Sequence, residues 1–314
     1  MKPLRWVKAY LFLLTSTFFL TAHASDINGP LPSWNEGPVK QSIIQFVEEV
    51  TNKNSSYYVP PEDRIATFDN DGTMWLEQPM YTEVIFALDR LPEWKNQYNK
   101  LTIQAIHHAM AVTHSGMSVE DFKTIEKKWL ATTKNPRYQR YYTELIYQPM
   151  LEVMEYLRQN QFKVYIVSGG GQDFIRTYSE EIYHVPIENV IGTTEKTKYV
   201  YQSKQPQLIK VPEILFIDDN EGKPVGINLF IGKKPIIAFG NSDGDRQMLE
   251  WTQSGQGKRL MLLVHHDDAK REYAYDTKSK VGTFSASLIK EAAKNHWQVI
   301  SMKNDWKVIF PFER

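Results

Sequence analysis

Two carboxylates separated by one residue, Asp69 and Asp71, follow a short apolar run in the stretch TFDNDGTMW and precede a Gly-Thr pair. Side chains at positions i and i+2 of an extended chain point the same way, so both acids can face one ligand. A solvated turn is the simpler interpretation, because Asp-Gly pairs are common in turns. The choice between a turn and a catalytic site depends on what the rest of the chain places beside them.

Two other stretches also place polar residues at the end of an apolar run. Ser168-Gly169-Gly170-Gly171 ends one such run, and Gly240-Asn241-Ser242-Asp243-Gly244-Asp245 ends another. Each stretch precedes a segment with helical spacing of its apolar residues. In open parallel sheets, ligands bind at the carboxyl ends of the strands, so these stretches are expected to meet Asp69 at one edge. Each motif is weak alone, since Ser-Gly-Gly is also a common helix cap, but their order at successive strand ends favours a site.

The elements that must position these residues alternate between helix and strand. Buried strands are predicted at 64–68, 162–168, 235–241 and 259–266, and shorter ones near 189–193, 198–202 and 214–217. Between 74 and 149 the apolar spacing is helical throughout, with Ser118 and Asp121 as a capping box. The prediction is an α/β fold: a Rossmann-like open parallel sheet flanked by helices, formed by residues 25–73 and 150–314, with an inserted α-helical cap at 74–149.

Composition limits the classes of function. The 314 residues are 42% hydrophobic and 24% charged, which is ordinary for a globular protein. Basic and acidic residues balance at 37 each, so no nucleic-acid or anionic-membrane partner is indicated. The chain has no cysteine, which excludes disulfides, thiolate metal sites and a cysteine nucleophile. Any metal must therefore be bound by oxygen or imidazole ligands.

The first 24 residues follow a different pattern. Three basic residues precede an apolar run of about 14 residues, which ends in Ala22-His23-Ala24. This pattern is typical of a secretory signal peptide cleaved after Ala24, since a membrane-spanning helix needs about 20 apolar residues. An uncleaved anchor is the alternative. The expected location of the mature chain is periplasmic or secreted, with no stable membrane anchor after cleavage.

The three strand-end motifs resemble those of the haloacid dehalogenase superfamily, in its phosphatase branch, over about residues 64–250. Asp69-x-Asp71-Gly72-Thr73 matches the first motif, Ser168 the second and the run 240–245 the fourth. The third motif is a single lysine, for which Lys223 is the first choice and Lys233 and Lys234 are alternatives. The resemblance also implies a cap between the first and second motifs, where the helical stretch lies.

This resemblance implies an enzyme, a Mg²⁺-dependent phosphomonoester hydrolase whose substrate is a small phosphorylated molecule. Asp69 would attack phosphorus and form an acyl-phosphate, while Asp71 would protonate the leaving alkoxide and later deprotonate water. The hydroxyl of Ser168 and the N–H groups near it would hold phosphoryl oxygens, and Lys223 would offset the crowded negative charge. The predicted substrate contacts are Gly72, Thr73, Gly169 and Gly170.

The predicted metal ligands are oxygen donors, as Mg²⁺ requires. They are Asp69, Asp71, Asn241 and Asp245, with the backbone carbonyl of residue 70 as a further donor. The fourth motif departs from the family pattern, because Asn241 stands where an aspartate is usual. Asp245, or less favourably Asp243, would then supply the missing negative charge directly or through water.

Other interpretations remain open at this stage. A phosphotransferase would use the same residues with an alcohol in place of water, and a non-catalytic protein could bind a phosphorylated ligand with them. Carbon–halogen cleavage is disfavoured, because it leaves Asp71 without a role. The run His265-His266-Asp267-Asp268 can be a second metal site, a loop at the rim of the active site or a solvated turn. Substrate identity and oligomeric state do not follow from the sequence.

Overall fold

The computed structural model describes residues 29–91 and 102–314. The signal-peptide prediction for residues 1–24 therefore lies outside the described residues. Within the described part, no helix is long and apolar enough to span a membrane.

The described residues form one seven-stranded sheet with the strand order β4-β3-β2-β1-β5-β6-β7. Every neighbouring pair is parallel except β3 and β4, which are antiparallel. The strands are β1 (Ile65–Phe68), β2 (Lys163–Gly171), β3 (Val190–Gln202), β4 (Gln205–Phe216), β5 (Ile237–Gly240), β6 (Leu260–His265) and β7 (Gln298–Ser301). This arrangement confirms the predicted α/β fold with an open, mostly parallel sheet.

The α-helices cover the sheet and extend beyond its carboxyl edge. They are α1 (Pro38–Thr51), α2 (Thr82–Asp89), α3 (Ile103–Thr113), α4 (Val119–Thr132), α5 (Gln148–Gln159), α6 (Gln172–Arg176), α7 (Gly222–Phe230), α8 (Arg246–Gln253), α9 (Ala286–Lys294) and α10 (Met302–Asp305). The capping box predicted for Ser118 and Asp121 at the start of α4 is formed in part. The Ser118 hydroxyl accepts the N–H of Asp121 at 3.0 Å, and the Asp121 side chain in turn accepts from that hydroxyl.

The centre of the sheet is buried on both faces. All four residues of β1 and all four of β5 are buried, as expected for central parallel strands covered by helices. Phe68 and Phe239 stack between these strands with their ring centroids 4.5 Å apart. This packing fixes the two strand ends from which Asp69 and Asn241 emerge.

The strands predicted separately near 189–193, 198–202 and 214–217 are wrong in their bounds, because they belong to one long hairpin. The residues Val190–Thr193 of β3 pair with β2, and the rest of β3 pairs with β4. The two-residue turn between Gln202 and Gln205 has positive φ at both Ser203 and Lys204. Such a turn normally carries Asn or Gly, so the sequence signal for the hairpin is missing. Strand β7 was not predicted either.

Candidate active site

The ends of β1, β2 and β5 open onto one cavity of about 200 Å³. These strands are neighbours in the sheet, with Phe68 in register with both Ile166 and Phe239. Four predicted catalytic side chains line the cavity on the side of the sheet, and we call this group the floor: Asp69, Asp71, Ser168 and Lys223. Residues distant in sequence therefore converge on one space large enough for a small substrate.

Lys223 connects the nucleophile candidate to the loop after β5. Its ammonium donates to Asp69 Oδ1 at 2.6 Å, to Asp245 Oδ1 at 2.5 Å and to the carbonyl of Val167 at 2.9 Å. Burial lowers the pKa of Lys223, but the carboxylates of Asp245 and Asp69 outweigh that effect and raise it above the usual value. The lysine therefore stays charged and holds both acids in place.

The two alternative lysines lie elsewhere. Lys233 donates to Asp63 at 2.5 Å and Lys234 to the Ser254 hydroxyl at 2.7 Å, both on the exposed surface. The geometry thus brings only Lys223 of these three to the cavity.

Asp71 is positioned from the side by a buried tryptophan. Trp75 Nε1 donates to Asp71 Oδ1 at 2.9 Å, and the indole stacks on Tyr178 with ring centroids 4.7 Å apart. Burial raises the pKa of Asp71, and the hydrogen bonds from Trp75 and Asn70 oppose that rise. A carboxyl group that holds its proton to higher pH suits a general acid. Trp75 is 1% exposed, so it orients Asp71 from within the core and does not form part of the cavity wall.

The turn after Asp71 is built around Gly72. Its φ is +73°, and a Cβ there would lie 2.1 Å from Asn241 Nδ2 and 2.4 Å from Glu77 Oε1. Both the backbone angle and the space exclude a side chain. Thr73 is fully buried and donates its hydroxyl hydrogen to Asn241 Oδ1 at 3.3 Å.

Gly72 and Thr73 were predicted as substrate contacts, but the structure does not place them at the cavity. Neither is among the residues that line the cavity, and both are buried beneath the two acids of the first motif. The backbone carbonyl of Asn70, predicted as a metal ligand, is also turned away. It accepts the N–H groups of Met74 at 2.7 Å and Thr73 at 3.2 Å, because it closes the tight turn.

The second motif lies on the opposite side of Asp71. Gly169 and Gly170 line the cavity as predicted, and the N–H of Gly170 donates to the Ser168 hydroxyl at 3.1 Å. Helix α6 begins directly after this loop at Gln172. Ser168 and the loop backbone are thus placed beside the position of a phosphoryl group, next to both acids.

The loop after β5 supports the floor from below. Asp245 Oδ2 accepts the N–H groups of Asn241 at 2.9 Å and Ser242 at 3.0 Å, while Oδ1 binds Lys223. Both oxygens of Asp245 are engaged, so it positions Lys223 and the loop. Asp243 is turned towards Arg246 and Ser285. Asn241 is buried behind the floor, and Ser242 is the residue of this loop that lines the cavity.

Two buried groups, neither of which was predicted to support the first motif, contact it or the residues around it. Glu77 Oε1 accepts from Asn241 Nδ2 at 2.7 Å and from the Tyr275 hydroxyl at 2.6 Å. His266 Nε2 donates to the carbonyl of Gly72 at 2.7 Å, and its Nδ1 lies 3.0 Å from Glu272. The contacts of Glu77 with Asn241 and Tyr275 and that of His266 with Gly72 span 164 to 198 residues of sequence, so no local pattern could have indicated them.

The run from His265 to Asp268 does not act as one unit, whether as a second metal site, a rim loop or a solvated turn. Its side chains point to different partners. His265 stacks on Phe284, Asp267 accepts from Ser301 and Lys303, and Asp268 pairs with Arg271. The acidic loop before Lys223, which contains Asp218 and Asp219, is not wholly exposed to solvent. Asp218 is fully buried, which raises its pKa to about 7, and Asp219 lines the cavity.

The floor carries an excess of buried negative charge that suits a divalent cation. Burial raises the pKa of Asp69 well above its usual value, the neighbouring Asp245 adds to the rise, and Lys223 opposes it. Burial also raises the pKa of Glu77, and Asp71 and Asp69 contribute to that rise. Lys223 alone does not balance these acids. The donor chemistry, carboxylate oxygens without sulfur, fits Mg²⁺.

Among the described residues, no three His, Cys, Asp or Glu side chains are arranged to hold a metal by themselves. A cation at this floor would thus need oxygens from the backbone, the phosphate or water, besides Asp69. Such sharing with phosphate is usual for Mg²⁺, which keeps several water ligands and takes few carboxylates.

A profile of haloacid dehalogenase-like hydrolases matches residues 66–250. The chain belongs to this family. The predicted family and its classification as a hydrolytic enzyme are therefore confirmed, and the matched segment contains every residue of the floor. No curated protein matches the chain significantly.

Solved structures share the fold at low sequence identity. A functionally unknown conserved protein from Anaerococcus prevotii DSM 20548 is 14% identical, with a TM-score of 0.52, 86% of this chain covered and 94% of the other. A protein of unknown function from Bordetella pertussis Tohama I is 16% identical, with a TM-score of 0.49, 76% of this chain covered and 99% of the other. The first of these supports the fold.

Proposed function

We propose that this hydrolase is a Mg²⁺-dependent phosphomonoesterase that works through an aspartyl-phosphate. The observation that carries the proposal is the floor itself, where Asp69 and Asp71 face one cavity together with Ser168 and Lys223. A phosphomonoester repels nucleophiles with its own negative oxygens. A site for it therefore needs a nucleophile, a proton donor and positive charge within one space.

The first half of the reaction transfers the phosphoryl group to Asp69. A carboxylate oxygen of Asp69 forms a bond to phosphorus as the ester P–O bond breaks, and Asp71 gives its proton to the departing oxygen. Lys223, held by Asp245, keeps Asp69 oriented during the attack. The hydroxyl of Ser168 and the N–H groups of the glycine loop bind the phosphoryl oxygens.

The second half restores the enzyme. Asp71, now ionised, takes a proton from water, and the resulting oxygen attacks phosphorus. The acyl-phosphate bond breaks, so phosphate leaves and the Asp69 carboxylate is regenerated. One group with a raised pKa thus serves both halves, first as the acid and then as the base.

Asp69 is the side-chain group on the floor that would hold Mg²⁺, because the predicted ligand Asn241 lies behind the floor, bonded to Thr73 and Glu77. The cation would supply charge neutralisation for the phosphoryl oxygens and the crowded carboxylates.

Turnover of p-nitrophenyl phosphate by the purified protein tests the proposal. We expect activity with Mg²⁺, none after chelation with EDTA, and a loss of about a thousandfold or more in Asp69→Asn. Asp63→Asn is the matched control, since Asp63 is an exposed partner of Lys233, and it should keep wild-type activity. Equal rates for Asp69→Asn and wild type would remove Asp69 as the nucleophile. Adding an alcohol and measuring alkyl phosphate formation separates hydrolysis from phosphotransfer.

We also propose that the protein is exported and cleaved after Ala24. The support is the basic start, the short apolar run and the Ala-x-Ala sequence of residues 1–24. Amino-terminal sequencing of the protein from the periplasm and the medium should begin at Ser25. A chain found there with residues 1–24 intact would support an anchor instead.

A further inference from the structure

Apolar side chains and the carboxyl group of Glu83 form one side of the cavity, and Glu195 lines the cavity near them. We call this side the roof; it consists of Glu83 and Val84 from α2, Ile106 and Met110 from α3, and Ile214 and Ile217 from the end of β4 and the loop after it. The floor binds the phosphoryl group in the proposed reaction. The roof is then the surface that meets the leaving group.

Glu83 is 6% exposed, and among the described residues one of its oxygens has no hydrogen-bond partner. Oε2 accepts the N–H of Gly171 at 2.6 Å, which ties α2 to the second motif. Oε1 is buried without a hydrogen bond, although the residue lines the cavity. A buried carboxylate oxygen without a partner costs free energy, and in the wall of a cavity a ligand is one group that can satisfy it.

The groups around Glu83 do not neutralise it. His114 Nδ1 lies 3.7 Å from Glu83 Oε1, beyond hydrogen-bonding distance, and 3.2 Å from Glu195. Burial lowers the pKa of His114, so the ring is largely uncharged at neutral pH. Lys210 pairs with Asp173 and Glu195. Among the described residues, His114 and Lys210 therefore interact with Glu195 more closely than with Glu83. The remaining oxygen of Glu83 is then available to a ligand in the cavity.

Glu83 is also close to the place where the leaving group departs. A Cβ on Gly170 would lie 3.4 Å from each of three oxygens: Asp71 Oδ2, Ser168 Oγ and Glu83 Oε2. The proton donor, the phosphoryl-binding hydroxyl and the roof carboxylate thus surround one backbone position. A group attached two or three bonds from the ester oxygen can reach Glu83 while Asp71 protonates that oxygen.

We propose that Glu83 binds a cationic nitrogen of the leaving group, so that the preferred substrate is the phosphomonoester of a small amino alcohol. This inference rests on the proposed phosphatase function and deepens it. The apolar side chains of the roof accommodate the short carbon chain and any alkyl groups on the nitrogen.

The same cavity disfavours a leaving group with a carboxylate. Lys223 is the one basic residue among the described residues that line it, and it is already paired with Asp69 and Asp245. An additional carboxylate on the leaving group would lie near Glu83, Glu195 and Asp219. None of the described residues that line the cavity offers that carboxylate an uncommitted basic group. Phosphorylated amino acids should therefore be poorer substrates than phosphorylated amino alcohols.

The decisive comparison uses wild-type protein and two compounds of nearly equal shape, 2-aminoethyl phosphate and n-propyl phosphate. We expect kcat/KM to be about ten- to a hundredfold higher for the ammonium compound, as for a hydrogen bond to a charged group. Phosphocholine should also exceed n-propyl phosphate, and O-phosphoserine should fall below 2-aminoethyl phosphate. A ratio near one, or a preference for O-phosphoserine, would overturn the inference.

Inhibition by 2-aminoethylphosphonate and n-propylphosphonate gives a measurement that needs no variant. Against p-nitrophenyl phosphate, the ammonium compound should be the stronger competitive inhibitor by a similar factor. Equal inhibition constants would contradict the role of Glu83.

The variant Glu83→Gln assigns the preference to one residue. Its ratio of kcat/KM for 2-aminoethyl over n-propyl phosphate should fall to near one. Glu126→Gln is the matched control, because Glu126 is equally buried, bonds to Thr177 and does not line the cavity. That variant should keep the wild-type ratio. An unchanged ratio in Glu83→Gln would overturn the assignment.

Failure of this inference can be told from failure of the proposed function. Without turnover of p-nitrophenyl phosphate, the phosphatase proposal fails and with it the substrate class. With turnover of all monoesters at similar kcat/KM, the phosphatase proposal stands and the role of Glu83 does not.

Discussion

The floor and the roof of the cavity satisfy their buried charges in different ways. On the floor, Asp69 and Asp245 share Lys223, and Asp71 is bonded to Trp75. On the roof, Glu83 has one oxygen bonded to a backbone N–H and one without a partner among apolar side chains. Acids held by fixed partners provide preorganised chemistry, whereas an acid with an unpaired oxygen can select a ligand that complements it.

This difference follows from where the two surfaces come from. The floor is built on strand ends whose register is set by the sheet. The roof combines two helices with the end of a hairpin strand and the loop after it, and the hairpin contacts the loop between α3 and α4 through Gly116 and Lys210. Chemistry shared by a family can stay on the sheet while the roof varies to suit the leaving group.

The largest expected effect comes from removing the positively charged side chain of Lys223 from the floor. Lys223→Ala leaves Asp69 and Asp245 buried without their counter-charge, which should lower the free energy of unfolding by about 3–5 kcal/mol and abolish turnover. Urea denaturation measures the change. The exposed Lys233→Ala should stay within about 0.5 kcal/mol of wild type. Wild-type stability in Lys223→Ala would mean that the floor is not held by this ion pair.

The second effect separates the two acids of the floor. Asp71→Asn cannot donate a proton, so kcat for an alkyl phosphate should fall by about 10²–10⁴-fold. The loss should be smaller for p-nitrophenyl phosphate, whose leaving group needs no proton. Steady-state kinetics with both substrates measures the difference. The reverse order of losses would rule out Asp71 as the general acid.

The third effect concerns the unpaired acid of the roof. Burial, with contributions from Glu195 and Asp71, raises the pKa of Glu83 from 4.5 to about 8. The folded state therefore binds this proton more tightly than the unfolded state, and the resulting stability is full below pH 4.5 and lost as the pH rises through about 8. Glu83→Gln should remove this part of the pH dependence. Denaturation at several pH values checks it, and parallel curves for both proteins would contradict it.

The smallest effect tests whether Thr73 supports the floor or touches substrate. Thr73→Val keeps the shape and removes the hydrogen bond to Asn241, so stability should fall by about 1 kcal/mol. KM for phosphomonoesters should stay close to wild type, because Thr73 does not line the cavity. A raised KM with unchanged stability would return Thr73 to the substrate contacts.

Local patterns in the sequence predicted much of the floor. The apolar runs that end at Asp69, Ser168 and Asn241 mark buried parallel strands, and parallel strands bring their carboxyl ends to one edge. The choice of Lys223 followed from the family resemblance, and the structure places its ammonium 2.6 Å from Asp69. The assignment of Gly72 and Thr73 as substrate contacts was less accurate, because sequence spacing does not distinguish the exposed side of a tight turn from its buried side.

The sequence by itself determined the parallel sheet, the paired acids and the family, because alternation of elements and short motifs are local properties of the chain. Only the tertiary structure decided how Glu77 and His266 support the first motif and how Glu83 faces the cavity. Glu77 and His266 act through contacts across more than 160 residues, and Glu83 meets Gly171 across 88. Such contacts depend on packing of helices and the hairpin over the sheet edge, which no local pattern encodes.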